Sequence, residues 1–297
     1  MSLPRLGRAS RAFHTALLVG VHLTCLLAIF TGVRLQDLLL CGALYALRMF
    51  GVTAGYHRYF AHRSFKTSRL GQFALAVLAV SSGQRGVLWW AWHHRHHHRH
   101  SDGSEDLHSP RRDGFWRSHM LWWMDDANRR PDLSQVRDLT RYPELRALER
   151  GYALTPLLLS ALCYAIGGPA GFVVGFCWST VLVWHVTFTI NSLAHIYGSQ
   201  PFETGDDSRN NFWLALLTLG EGWHNNHHHY QTSTRQGFLW WEIDLTWYAL
   251  FTLERMGLVW GLRSPPPRVM DQRRSRAQRR AEVEASVARD EDPAGVA

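Results

Sequence analysis

Between Trp89 and His100 the chain reads WWAWHHRHHHRH, six histidines in twelve residues. Imidazole is the commonest neutral metal ligand, and a helix carries residues i, i+3 and i+4 on one face. His94, His97 and His98 have that spacing, but so do His93, His96 and His97, so spacing alone leaves the register open. A solvated histidine-rich run would account for this stretch by itself. It does not account for the recurrence. Gly220–Tyr230 reads GEGWHNNHHHY, where His224, His227 and His228 repeat H-x-x-H-H, and a third group, His57-Arg-Tyr-Phe-Ala-His62, lies upstream. Groups of one residue type spread over most of the chain require a fold that brings distant segments to one metal-binding place.

The mean hydropathy of −0.19 averages apolar runs with Arg- and His-rich loops, so local windows decide the class. Arg5, Arg8 and Arg11 precede an apolar run, Thr15–Gly32. A basic segment before an apolar one also describes a signal peptide. This run approaches spanning length and has no small-x-small cleavage site, so a retained transmembrane helix with a cytoplasmic N-terminus is expected. A second span, about Leu35–Ala54, follows after a few residues. Tyr152–Ile166 and Ala170–Asn191, joined by Gly167-Gly168-Pro169, form a second hairpin. With four spans and the N-terminus inside, both hairpins open on the cytoplasmic side. All the histidine groups, and His195 in NSLAH, then meet on one face of the membrane, with both termini cytoplasmic. The expected fold is an all-α, multi-pass membrane protein with a cytosolic helical cap. Leu70–Trp90, Trp116–Met124, Tyr142–Arg150 and the charge-bearing Phe238–Leu262 are expected as interfacial or cap helices. The membrane domain is expected over 1–262, and the polar segment 263–297, with SPPP and RRSRAQRR, as a disordered C-terminal tail.

Net charge is +8, almost all from arginine, since Lys66 is the only lysine. The Arg-rich runs flank apolar segments, which favours membrane lipid or an acidic protein over nucleic acid. Cys25, Cys41, Cys163 and Cys177 sit in apolar stretches without C-x-x-C, so metal chemistry must rest on histidine. The candidates are His57, His62, His94, His97, His98, His195, His224, His227 and His228. That exceeds any single-ion shell and implies two ions. Two transition-metal ions without thiolates suit oxygen activation better than structural zinc. His57 and His62 lie roughly 140° apart on an ideal helix; either the helix ends between them or they serve different ions. The isolated His14, His22, His108, His119 and His185 read as packing or capping residues.

GVTAGYHRYFAHRSFK, the H-x-x-H-H within WWAWHHRHHHRHSD, NSLAH and GEGWHNNHHHY together resemble the integral-membrane fatty acid desaturases, with the acyl-CoA Δ9 (stearoyl-CoA) desaturases most similar. The likeness runs from about Gly51 to Tyr230 in order, spacing and flanking residues. It implies four transmembrane helices and a cytosolic cap holding two irons, and insertion of a cis double bond into a saturated acyl chain with O₂ and two electrons. It implies that the nine histidines are the iron ligands, with Asn191 reaching a metal through water. The match through Trp90, Ala91 and Arg95 selects the register His94, His97, His98. An all-nitrogen shell leaves the irons' charge uncompensated, so Asp106 or Glu221 is expected to act behind the ligands.

One departure concerns the acyl carrier. Animal-type acyl-CoA members carry Trp-Ala-Arg-Asp before the histidine block, whereas Trp92 and His93 stand at the Arg and Asp positions here. An acyl-lipid or acyl-carrier substrate therefore stays open beside acyl-CoA. Neither the His-Pro-Gly-Gly of a fused cytochrome b5 nor a G-x-G-x-x-G is present, so electrons are expected from an external donor such as a ferredoxin or flavoprotein. A hydroxylase or oxidase on the same scaffold is the alternative enzyme. A histidine-rich membrane metal-binding protein is the non-enzymatic alternative, but the apolar spans are almost free of charge. Finally, the span leading into His57 carries Thr53, Met49 and Tyr45 near one face. These are candidate tunnel residues. Tyr45, roughly 18 Å before His57, either stops the acyl chain, favouring palmitoyl, or anchors the helix by a hydrogen bond.

Overall fold

The computed structural model describes residues 8–125, 128 and 131–290; Arg5 of the basic arm and the acidic end at 291–297 lie outside them. The described chain is mainly helical. Helix α1 (Arg8–Cys25) gives way at Leu26–Leu27 to a single turn, Ala28–Thr31, and α2 (Leu35–Phe50) runs on as a π-helix, Gly51–Ala61. The cap then begins with α3 (Arg69–Val80) and α4 (Val87–His100), and α5 (Pro143–Arg150) leads back to the apolar part. Helix α6 (Leu154–Ala170), a π-helix at Gly171–Trp178 and α7 (Ser179–Asn191) form the second apolar unit. The short α8 (His224–His229), α9 (Leu245–Arg255) and α10 (Pro267–Asp290) complete the cap. Strand β1 (Lys66–Thr67) pairs antiparallel with β2 (Val259–Trp260).

Where four spans are expected, the described residues show two helical stretches long and apolar enough to cross a membrane, Leu35–Ala61 and Leu154–His195, the second covering two of the expected spans. The first apolar run, Thr15–Thr31, is shorter. The second long stretch, of 42 residues, leaves helical conformation at Gly168 (φ 62°, ψ −150°), within the predicted Gly-Gly-Pro turn. Glycine is suited to that left-handed φ. The two arms pack directly on each other: a Cβ on Gly171 would collide with the carbonyl of Cys163. At the start of α2 the Asp37 carboxylate accepts from the Arg34 backbone N–H and guanidinium, and the same guanidinium donates to the Gly167 carbonyl at 2.6 Å. The two turns therefore lie side by side, at the ends of their helices away from the histidines.

Close helix contact holds the metal-bearing segment in place. Cβ atoms on Gly51 and Gly55 would stand only 2.8 Å from Leu78 and 3.1 Å from Leu75 backbone atoms, so these two glycines let the π-helix lie against α3. Tyr56, Phe60, Ala76, Ala79, Val80, Val87, Leu88, Leu139, Leu145 and Leu250 make the main buried core around this contact. Each large side chain buried there contributes about 1.5–3 kcal/mol.

Several expected elements are redrawn. Leu70–Trp90 is not one helix, because the chain turns at Ser81–Gly86 between α3 and α4. Trp116–Met124 is a π-turn followed by a 3₁₀ turn, and only Leu245–Arg255 of Phe238–Leu262 is helical. The expected disorder of 263–297 is corrected over Pro267–Asp290, which is helical. Its Ala, Arg, Gln and Glu content favours helix, and its first turns are docked. Val269 packs with Phe202 and Phe238, and Arg273 pairs at 2.6 Å with the fully buried Glu242.

Candidate metal centre

The nine histidines converge as two groups. The ligand nitrogens of His57, His62, His94, His98 and His227 all lie within 4.8 Å of one another, and so do those of His97, His195, His224 and His228. Helix α4 serves both groups, with His94 and His98 turned to one and His97 to the other. Helix α8 divides the same way, with His227 in the first group and His224 and His228 in the second. The groups take in His94, His97 and His98 and leave out His93 and His96. His93 instead meets the Trp89 carbonyl through Nδ1, and His96 meets the Glu105 carbonyl.

His57 and His62 join the same group, against the expectation from ideal α-helical geometry. The cause is the π-helix. Its i→i+5 hydrogen bonds bring residues five apart to neighbouring positions, as in the His62 N–H bond to the His57 carbonyl at 3.1 Å. The two rings stand 4.8 Å apart.

The outer ring nitrogens are held by carboxylates. His97 Nδ1 donates to Asp106 at 3.0 Å, His195 Nδ1 to Asp102 at 2.9 Å and His228 Nδ1 to Asp206 at 2.7 Å. His57 Nδ1 pairs with Glu221, which Arg58 holds from its other side, with Asp244 on the same guanidinium. A proton fixed on Nδ1 leaves Nε2 as a lone pair. In the second group three such lone pairs point together, and the buried His228 Nε2 has no hydrogen-bond partner among the described residues. In the first group the Nε2 atoms of His62 and His94 are 2.8 Å apart, and those of His98 and His227 2.9 Å. Imidazole nitrogens converging this closely, five in one group and four in the other, are a donor set that fits two metal ions.

Electrostatics point the same way for four of the ligands, whereas His97 is raised, against burial, by Asp106. Burial, then the neighbouring histidines, holds His94, His98, His224 and His227 well below the ordinary histidine range, which keeps them neutral ligands. Burial alone would raise Asp102, Asp106 and Asp206. Their paired histidines outweigh it and keep all three carboxyls ionised, below the usual range. Glu221 is lowered likewise, against burial, by His57 and Arg58.

Asp106 and Glu221, expected behind the ligands, are so placed. Asp102, Asp206, Arg58 and Asp244 were not anticipated. Asp102 follows the α4 histidines in sequence, but Asp206 sits in a loop with no spacing to mark it. His108, expected as a packing residue, stacks on His97 at 4.3 Å and lies with Asp106 at the edge of the second group. His22, His185 and His119 form a hydrogen-bonded row ending on the Ser192 hydroxyl.

A cavity of about 530 Å³ begins at His93, His94, His108 and Asn191 and extends between α1, α6 and α7 as far as Thr24, Phe172 and Phe176. Asn191 thus lines the cavity together with His94. Tyr45, Met49 and Thr53, the candidate tunnel residues, are not among the residues that line this cavity. The Tyr45 hydroxyl donates to the Leu217 carbonyl, Met49 is buried in the core, and the Thr53 hydroxyl meets that of Thr246. The face of α2 that leads into His57 is turned toward the cap, not toward an acyl channel.

Helical segments of membrane-spanning length, two all-histidine groups able to hold metal ions and an apolar cavity that reaches His94 of the first group fit a membrane-associated enzyme acting on an apolar substrate. Comparison with known proteins makes this specific: the fatty acid desaturase family model matches residues 36–264, and the chain belongs to that family, an oxidoreductase of lipid metabolism. It is 37% identical over 265 residues to the acyl-CoA C20 Delta5-desaturase of Anemone leveillei, covering 88% of this chain and 84% of that one. It is 37% identical over 253 residues to the chloroplastic palmitoyl-monogalactosyldiacylglycerol delta-7 desaturase of Arabidopsis thaliana, covering 84% and 68%. Delta-9 acyl-lipid desaturase 1 of the same plant is 38% identical over 253 residues, covering 82% and 81%.

Proposed function

We propose that this desaturase inserts a cis double bond at Δ9 of a long saturated acyl chain, with O₂ and two electrons from a separate protein. The observation that carries the reading is the cavity whose metal end is His94 and Asn191 and whose far end is apolar. From Asn191 to Thr180 the wall spans eleven residues of α7, roughly 16 Å, room for the methyl-side half of a mid-chain substrate. The two histidine groups would hold two irons, and Asn191, which lines the cavity with His94, would lie on the substrate side of that site. The irons supply the oxygen activation that removing hydrogen from an unactivated methylene requires. The chain's own residues do the rest. Asp102, Asp106, Asp206 and Glu221 keep the ligand tautomers fixed and offset the metals' charge. Trp89, Trp90 and Trp122 wall the cavity near the site and exclude water.

Four spans with a cytoplasmic cap and cytoplasmic termini are the topology we favour. The reversal at Gly168 and the bond from Arg34 to the Gly167 carbonyl support it. On the solvent side, a cleft of about 360 Å³ reaches His98 and Asp206 past Arg99, His100 and Glu105. It is a short route for electrons from a docked ferredoxin or flavoprotein. Half-exposed Leu17 and Leu157 in the cavity wall favour a substrate arriving from the bilayer as an acyl lipid, with acyl-CoA as the alternative. Expression in a desaturase-deficient host, with mass spectrometry of the lipids, tests the reading. Cis-Δ9 acyl chains, first appearing on membrane lipid, are expected. Δ5 or Δ7 products would reject the position, and hydroxylated chains would reject desaturation.

A further inference from the structure

We propose that Gly20 of α1 sets the length of acyl chain this enzyme accepts, a role that rests on the cavity being the acyl site. Gly20 lies inside a helix, where glycine is disfavoured. It lines the cavity, and a Cβ built on it would meet no atom within 4 Å. Among the described residues no atom therefore stands in the way of a first side-chain carbon at this position.

Its depth follows from the contacts of α1. Leu18 packs against Trp184 and Phe188, His22 Nε2 lies 2.9 Å from His185 Nε2, and Trp178 Nε1 donates to the Cys25 carbonyl at 3.1 Å. Helix α1 thus runs antiparallel to α7, with Gly20 between the levels of Phe188 and His185. That is three to six residues from Asn191, or roughly 5–9 Å toward the apolar end. A side chain projecting there would meet the acyl chain beyond the reacting methylenes, on its methyl side. Thr24 lies one turn deeper on the same wall. Helix α1 precedes the 36–264 region that the family model matches, so this wall is not something family membership alone supplies.

The test uses the full chain in a desaturase-deficient host fed saturated acids of graded length, reading unsaturated products by mass spectrometry and metal per chain in purified protein. Gly20→Phe and Gly20→Leu are compared with Thr24→Phe, deeper in the cavity, and with Gly42→Phe. Gly42 lies on α2 outside the cavity and also has open space around it. At unchanged metal content, Gly20→Phe should lower the ratio of longer to shorter products roughly 10-fold, Gly20→Leu less, and Gly42→Phe not at all. An unchanged ratio in Gly20→Phe while Thr24→Phe shifts it would overturn the role of Gly20 and leave the cavity as the acyl site. No shift in either would remove both readings. Loss of products at every length with metal retained would also overturn it, because a length gate spares the shortest chains. Should Gly20→Phe lose metal, Gly20→Leu decides by the same criteria.

Discussion

Asp102 offers a test of how the carboxylates support the metal groups. One of its oxygens accepts from His195 Nδ1 at 2.9 Å and from the Asp207 backbone N–H at 2.9 Å; the other accepts from the Ser109 hydroxyl at 2.6 Å. Asp102→Ala would leave two buried donors orphaned and force alanine into the positive φ of 56°, mixing several effects. Asp102→Asn is cleaner. Asparagine tolerates that φ, its carbonyl can keep the His195 and Asp207 bonds, and Ser109 can rotate to accept from its amide. What is lost is the charge. A hydrogen bond to a charged group contributes about 1.5–3 kcal/mol and a neutral one about 0.5–1.5 kcal/mol. The difference of about 1–1.5 kcal/mol is roughly 10-fold in metal affinity, at the low end of the effects usual for such partners. The assay is metal retained per chain after dialysis against graded chelator. Asp102→Asn should release one of the two metals at roughly 10-fold lower chelator, and Glu105→Gln, an exposed carboxylate in the same loop, should leave the curve unmoved. Wild-type retention by Asp102→Asn would refute a role for the carboxylate charge in holding the ligands.

Two further outcomes are expected. His94→Ala should abolish desaturation and lower metal content, whereas His93→Ala should keep both metals, since His93 belongs to neither group; equal metal loss in the two variants would reject the register. Tyr45→Phe should cost about 0.5–1.5 kcal/mol in thermal unfolding through the lost bond to Leu217 and leave product chain length unchanged; a shift in chain length would restore Tyr45 as a tunnel residue.

The helical spacing of H-x-x-H-H pointed to the histidines of α4 and α8, but the register on α4, and His57, His62 and His195, came from the resemblance to the desaturases. The division of the nine was not legible, because it depends on the π-helix that carries His57 and His62, and no residue type in GVTAGYHRYFA marks π over α. The carboxylates were half legible. Asp106 and Glu221 lie close in sequence to ligands, whereas Asp206 reaches His228 only through the fold of its loop. Helical periodicity identified a face of α2 but not what packs on it. Tyr45 faces the cap, and the cavity runs along α1, α6 and α7. The tail was read from its charge, although its helix formers and the docking of Val269 and Arg273 decide its state.

The central claim is that nine histidines make two metal sites of five and four ligands. Anomalous scattering at the iron edge from crystals of the iron-loaded protein tests it most directly. Two iron peaks are predicted, one within His57, His62, His94, His98 and His227, the other within His97, His195, His224 and His228. A single peak, or iron bound by His93 or His96, would contradict it.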